Sequence, residues 1–321
     1  TGWGKSYAMQ YQLACAEAHY LARGETPPRL FFLDKGGSYR RFLEVRGADA
    51  LYIPFSPDSP PGIDIFRHSA DEEPLETHVS RLTWLLLDFL RLSEADAGPA
   101  AFEARKAAVQ QALFRVYEAG AASFASLEAE LTRLGHGELA QALYPYQHGS
   151  LAALFVDNPR LVLAPHINAV CWDLFRLNEH PDMKRVALRL AVYQIRKLAY
   201  AAARRRQTTY LVIDEAWDFL SGNLGIEFVI DALRTGRKDG LAVICLSQQL
   251  EDFAHPAFRA AILGNAGSRL IGHPGKVNMQ SFRELLNLND RQIDMIQRLK
   301  ASADYREFLL VTNDRSEVVR V

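Results

Sequence analysis

Gly4, Lys5 and Ser6, within Thr1-Gly2-Trp3-Gly4-Lys5-Ser6, are residue types that can hold a phosphate between them. In a G-x-x-x-x-G-K-[ST] loop the glycines let backbone N–H groups close around a β-phosphate, the lysine reaches the β/γ oxygens, and the hydroxyl ligates Mg²⁺. These three residues fill the last three places of that pattern, whose first glycine would fall two positions before Thr1. The stretch is therefore expected to be the latter part of a Walker A loop opening a helix, with Gly2, Gly4, Lys5 and Ser6 around nucleotide phosphate. Far downstream, Tyr210-Leu211-Val212-Ile213-Asp214-Glu215 is an apolar run ending in two acids. Hydrolysis of a nucleotide needs one carboxylate for the Mg²⁺ shell and another to orient or deprotonate the attacking water. Asp214 and Glu215 can supply one each, because neighbouring side chains on a strand reach different places. Taken singly, the two segments also read as a surface turn before a helix and as an acidic cap after a strand.

The elements that must position these residues follow from patterning. Residues 6–23 are alanine-rich and favour a helix, ended by Gly24 and Pro27-Pro28. Leu30-Phe31-Phe32-Leu33-Asp34 reads as a buried strand and Lys35-Gly36-Gly37-Ser38 as a turn, where Asp34 and Lys35 either meet nucleotide or a neighbour, or cap the turn. Leu51-Tyr52-Ile53-Pro54-Phe55 is a strand that runs into a proline-rich loop, so it is expected to lie at a sheet edge or to end early. Residues 74–151 change character, with few β-branched residues and apolar positions at helical spacing, and are expected to be an inserted helical subdomain. Residues 1–73 and 152–321 then form the two parts of an α/β core. Residues 168–174 and 241–249 read as further strands, and residues 182–203 as a long helix. Basic residues suit a helix C-terminus, which accounts for Arg204-Arg205-Arg206 better than a DNA-binding patch does. Gln248, at the end of a strand expected next to the acidic one, is placed either to sense a γ-phosphate or to cap the strand. Residues 268–271, 307–311 and 317–321 are expected to complete the same sheet.

Bulk properties narrow the possibilities. A hydrophobic content of 49% and a charged content of 23% are those of an ordinary globular chain. A net charge of -1 gives no global attraction to nucleic acid. No run of apolar residues is long enough to span a bilayer. Cys15, Cys171 and Cys245 sit among apolar neighbours and read as buried thiols of a reducing compartment. The 9 histidines show no zinc-ligand spacing.

Together these segments resemble the VirB4/TraC-type ATPases of conjugative type IV secretion, within the FtsK/HerA class of RecA-like motors. The resemblance is carried by Gly2-Trp3-Gly4-Lys5-Ser6, Leu33-Asp34-Lys35-Gly36-Gly37-Ser38-Tyr39, Leu211-Val212-Ile213-Asp214-Glu215-Ala216-Trp217, Arg234-Thr235-Gly236-Arg237-Lys238-Asp239-Gly240 and Ser247-Gln248-Gln249. It implies a RecA-like P-loop NTPase fold with a mostly parallel central sheet and an inserted helical subdomain, covering the motor half of a longer protein. It also implies that Lys5 and Ser6 bind nucleotide phosphate and Mg²⁺, Asp214 is the acid of the metal shell, Glu215 the catalytic base (Walker B) and Gln248 the sensor. An arginine from a neighbouring subunit is implied, with Arg237 favoured over Arg234 and Arg269. ATP and Mg²⁺, a homohexamer, secretion-system partners at the cytoplasmic face of the inner membrane, and DNA as a candidate substrate complete what the likeness implies. Ile63-Asp64-Ile65-Phe66 departs from the Asn-Pro-Phe-like segment common there. The alternative functions are a DNA-translocating motor of the HerA/FtsK/coupling-protein kind and a nucleotide-binding scaffold, against which Glu215 argues.

Overall fold

An apolar run bounded by Pro28 and Gly36 is too short for a stable helix, and Leu30 to Leu33 accordingly form the middle of strand β1 (Arg29–Asp34), buried along its whole length. The computed structural model describes the chain except for residues 1–3, 72, 93–97, 157–165, 216–231, 233–235, 237–239, 248–255, 274–278 and 303. Strands β2 (Ala50–Pro54), β3 (Ala169–Asp173), β4 (Thr209–Ile213) and β5 (Leu241–Cys245) join β1 in a five-stranded parallel sheet of order β2-β3-β1-β4-β5. Pro54 lies in the outermost strand, where a missing N–H interrupts no interior ladder. β1 and β3 are buried at every position, as strands covered on both faces must be. The chain forms two compact units, Thr1–Tyr52 with Asn168–Cys171 and Ala202–Val321, and Ile53–Ile167 with Trp172–Ala201.

In the first unit, α1 (Lys5–Ala22) and α2 (Arg40–Glu44) cover one face of the sheet. Met9 and Leu13 of α1 and Leu43 of α2 join a core with Leu30, Phe32, Tyr39, Ala169, Cys171 and Val212. Gln10 Nε2 donates to the Ser38 carbonyl at 2.8 Å, and Arg46 pairs with Glu17, so α1 is tied to the turn after β1 at both ends of that turn's helix. The outer side of α1 carries Tyr7, Tyr11 and Leu21, all exposed, and Cys15 with them. Cys15 is thus not the buried thiol that its neighbours suggest. A helix 18 residues long has an outer face whatever its composition, and residue 15 is four positions on from Tyr11, on the same side.

The second unit contains α3 (Leu75–Phe89), α4 (Pro99–Glu118), α5 (Phe124–Arg133), α6 (Gly137–Ala142), α7 (Tyr144–Gln147) and most of α8 (Pro181–Arg204). Leu82, Leu86, Val109, Leu113, Leu127 and Leu131 are almost wholly buried. Ser123 starts α5 with a capping box, its hydroxyl accepting from the Ser126 N–H at 3.1 Å. The loop before α3 is fastened by a buried polar network. Glu73, 1% exposed, lies 3.1 Å from His78 Nδ1 and also pairs with Arg81, while His78 Nε2 is 2.7 Å from the Tyr117 hydroxyl. That hydroxyl donates to the Phe66 carbonyl at 2.7 Å, and His68 Nε2 is 2.9 Å from the Glu73 carbonyl.

The rest of the first unit follows β5. After α9 (Pro256–Asn265), strands β6 (Ser268–Ile271), β7 (Glu307–Thr312) and β8 (Ser316–Arg320) form a separate antiparallel sheet. They do not complete the parallel sheet as expected. Between β7 and β8 the chain reverses within residues 313–315, with Thr312 N–H donating to Arg315 C=O at 2.9 Å, and so short a connection permits only antiparallel pairing. Helices α10 (Met279–Leu286) and α11 (Asp290–Gln297) close this layer, Phe282, Leu286 and Ile296 packing with Ile271, Leu309 and Val311. No described helix is long and apolar enough to cross a membrane.

The network around His78 should respond to acid. Burial works to raise Glu73, but the hydrogen bond from His78 and the charge of Arg81 outweigh it and hold the carboxyl low. Burial lowers His78, with Lys197 and His68 acting in the same sense and Glu73 opposing them. An unfolded chain takes up a proton on this histidine near pH ~6.5 that the folded chain resists, so the associated stability is complete above that pH and declines below it. Melting temperature should therefore fall between pH ~7.5 and ~5.5, and the fall should be shallower in His78→Gln. Thermal melts of both proteins check this, and identical slopes would contradict it.

Candidate nucleotide site

The parallel register brings the chemistry of the two motifs to one edge. Leu33 lies opposite Ile213, so the next residues, Asp34 and Asp214, end neighbouring strands side by side. Side chains alternate along a strand, which puts both carboxylates on the face that carries Phe32 and Val212, the face covered by α1. The first turn of α1 completes the meeting: Ser6 Oγ donates to Asp214 Oδ2 at 3.1 Å, across a sequence separation of 208 residues. The other oxygen, Oδ1, accepts from the Glu215 N–H at 3.0 Å. Asp214 is only 4% exposed, so these bonds satisfy a carboxylate that water scarcely reaches.

Gly4 starts α1 in the left-handed region, with φ 74 and ψ 23, and has no side chain with which to cap the helix. The first N–H groups of any α-helix lack acceptors within the helix and carry its positive dipole end. At Gly4-Lys5-Ser6 they lie beside a lysine and a hydroxyl, a donor set that fits a phosphate group. Mg²⁺ keeps much of its water and takes few protein ligands, so the Ser6 hydroxyl with the Asp214 carboxylate 3.1 Å away fits that ion. Among the described residues no group of three or more His, Cys, Asp or Glu could hold a metal by itself.

Glu215 is one of few non-glycine residues with a positive φ, 50°. Such a conformation costs about 1–3 kcal/mol and turns the chain sharply where β4 ends, lifting Glu215 off the line of the strand. Asp34 has another role: Oδ1 accepts from the Gly36 N–H at 3.0 Å and Oδ2 from the Tyr39 N–H at 3.3 Å, so it caps the turn after β1. Gly2, Arg234, Arg237 and Gln248 lie outside the described residues. Gly236 is buried, and a Cβ there would meet the Leu241 carbonyl oxygen at 2.7 Å, so the backbone beside Arg237 passes hard against the start of β5. Arg269 is committed elsewhere, donating to the Leu286 carbonyl within the antiparallel layer.

Tyr39 was not singled out as a site residue by the sequence, although it belongs to the motif segment after β1. Its ring stacks on Phe32 with centroids 4.4 Å apart, and it is wholly buried. Burial raises the phenol far above its ordinary range, and the charges of Asp214 and Asp34 raise it further. A weak hydrogen bond to the Asp214 carboxylate raises the phenol as well, although the hydroxyl meets no partner at full hydrogen-bond geometry among the described residues. No local pattern announces this, since the contact depends on the strand register.

A parallel sheet with an uncapped glycine-led helix at its carboxyl edge and paired acids at the tip of a central strand defines the RecA-like P-loop NTPase fold. No protein-family profile matches the sequence, and no curated protein matches it. Among solved structures, VirB4 of Thermoanaerobacter pseudethanolicus matches with a TM-score of 0.66 at 19% identity, over 99% of this chain and 86% of that one. The plasmid coupling protein TrwB, in complex with the non-hydrolysable GTP analogue GDPNP, matches with a TM-score of 0.50 at 14% identity, over 91% of this chain and 84% of that one. The fold is therefore that of VirB4, the type of protein that the motif segments resemble.

An unpartnered buried hydroxyl costs its desolvation and returns little, so Tyr39→Phe should leave stability unchanged or raise it by up to about 1 kcal/mol. Urea unfolding checks this. A loss of more than about 1 kcal/mol would mean that the hydroxyl has a partner in solution.

Proposed function

We propose that this protein is a P-loop ATPase whose hydrolysis of ATP powers type IV secretion, in conjugative transfer or pilus assembly. The observation that carries this is the 3.1 Å contact between Ser6 and Asp214, which joins the phosphate-loop segment to the acidic strand at one sheet edge. In this reading the amides from Gly2 to Ser6 and the Lys5 ammonium bind the phosphates, and Ser6 and Asp214 hold Mg²⁺, which when bound neutralises phosphate charge. Glu215 takes the proton of the attacking water. Gln248 positions that water, and Arg237 of an adjacent copy stabilises charge on the transferring phosphoryl.

The likeness to VirB4 supports the secretion role, and the weaker likeness to TrwB favours a DNA-pumping role less. A homohexamer, acting with inner-membrane secretion components on the cytoplasmic side and with DNA as a candidate cargo, follows from the same reading. We also take residues 74–151 as a helical insertion between core segments 1–73 and 152–321, supported by the succession of helices α3 to α7 among the described residues.

Two substitutions test the chemistry. Lys5→Ala and Glu215→Gln should each lower ATP turnover by at least about a hundredfold, the lysine variant through lost phosphate contacts and the glutamine variant through a lost base. Glu215→Gln should still bind ATP, since it keeps the shape and loses only basicity. Phosphate-release assays and equilibrium nucleotide binding read the two effects, and full turnover in either variant would refute the proposal.

A further inference from the structure

The antiparallel layer delivers a cation to the phosphate loop. A Cβ built on Gly4 would lie 3.8 Å from Arg306 Cγ, so the arginine stem passes close beside the glycine that precedes Lys5. Its point of origin is rigid: Arg306 N–H donates to the Val321 carbonyl at 2.8 Å, Val321 N–H returns a bond at 3.0 Å, and Glu307 N–H donates to the Lys300 carbonyl at 3.0 Å. The head is held as well. Arg306 Nη1 donates to the Ser302 carbonyl and, at 3.0 Å, to the Tyr305 carbonyl. Nε and Nη2 make no hydrogen bond among the described residues, and the side chain is only half-buried. One edge of a planar, permanently charged fork is thus anchored to backbone, while the other stays available next to Gly4.

The charges around the loop call for such a group. Asp214 and Asp34 end neighbouring strands and Glu215 follows directly, so three carboxylates gather at the sheet edge where Lys5 begins α1 and Lys35 follows β1. A nucleoside triphosphate remains net negative after binding one Mg²⁺. A further cation on the same chain offsets that repulsion, and a guanidinium presents two parallel donors that match phosphate oxygens.

We propose that Arg306 is a phosphate-binding residue of the nucleotide site, acting in the same subunit as Lys5. This rests on the reading of the site given above. The role differs from that of a neighbour's arginine, because Arg306 lies against its own loop and binds phosphate before any ring of subunits forms.

The test compares Arg306→Gln, which keeps donors for the anchoring carbonyls but loses the charge, with Arg306→Lys, which keeps the charge. Equilibrium binding of Mg-ATP, Mg-ADP and adenosine to the full chain is measured together with melting temperature. Arg306→Gln should weaken ATP and ADP binding about tenfold or more, Arg306→Lys should recover most of it, and adenosine binding should not change. Equal nucleotide affinity in Arg306→Gln and the unsubstituted protein overturns the inference and leaves the ATPase reading intact. A loss shared equally by both variants, with a lowered melting temperature, also overturns it and makes Arg306 a backbone strut. If the unsubstituted protein binds neither ATP nor ADP, both this inference and the ATPase reading fail.

Discussion

The Ser6 hydroxyl reaches the Asp214 carboxylate because β1 and β4 lie side by side in parallel register, and the rest of the site depends on that pairing. Parallel strands end at the same edge, so the loops after β1 and β4 and the start of α1 gather in one place. The core beneath holds the register: a shift of one residue would turn Phe32 and Val212 away from Met9 and Leu13 and carry Asp34 and Asp214 with them. Burial of those apolar side chains and the position of the acids are therefore one constraint.

Such an arrangement places costly groups close together. Asp214 is nearly inaccessible, and a hydroxyl and an amide donate to its two oxygens. Tyr39 brings an unpartnered hydroxyl to the same place, and Glu215 takes a backbone conformation that most residues avoid. Each of these features works against the folded chain. The large apolar core under the sheet supplies the stability that such a site draws on.

Much of this architecture was legible in the sequence because its strands are short apolar runs between strong breakers. Leu30 to Leu33, Tyr210 to Ile213 and Leu241 to Cys245 emerge as strands, and Pro54 marks the sheet edge. The proximity of Ser6 to Asp214 was legible from motif order alone. What could not be read was pairing. Ser268 to Ile271 has strand composition, but composition does not say which sheet a strand joins; the three-residue reversal between β7 and β8 decided that. Cys15 looked like an interior thiol since its neighbours are apolar, whereas its helical phase sets it outside with Tyr11. Asp34 left two roles open until the amides of Gly36 and Tyr39 were seen to claim both its oxygens. Arg306 gives no sign in its local sequence, because its nearness to Gly4 arises from a second sheet folding back on the first helix.

The separation of 208 residues between Ser6 and Asp214 also bears on how the molecule is made. A contact so remote along the chain closes a large loop and comes late, after the local helices and hairpins. During synthesis α1 and β1 leave the ribosome long before β4 does, so Met9 and Leu13 can meet Leu30 and Phe32 while Val212 is still missing from their core. Chaperone dependence and sensitivity to translation speed should thus concentrate in this interval.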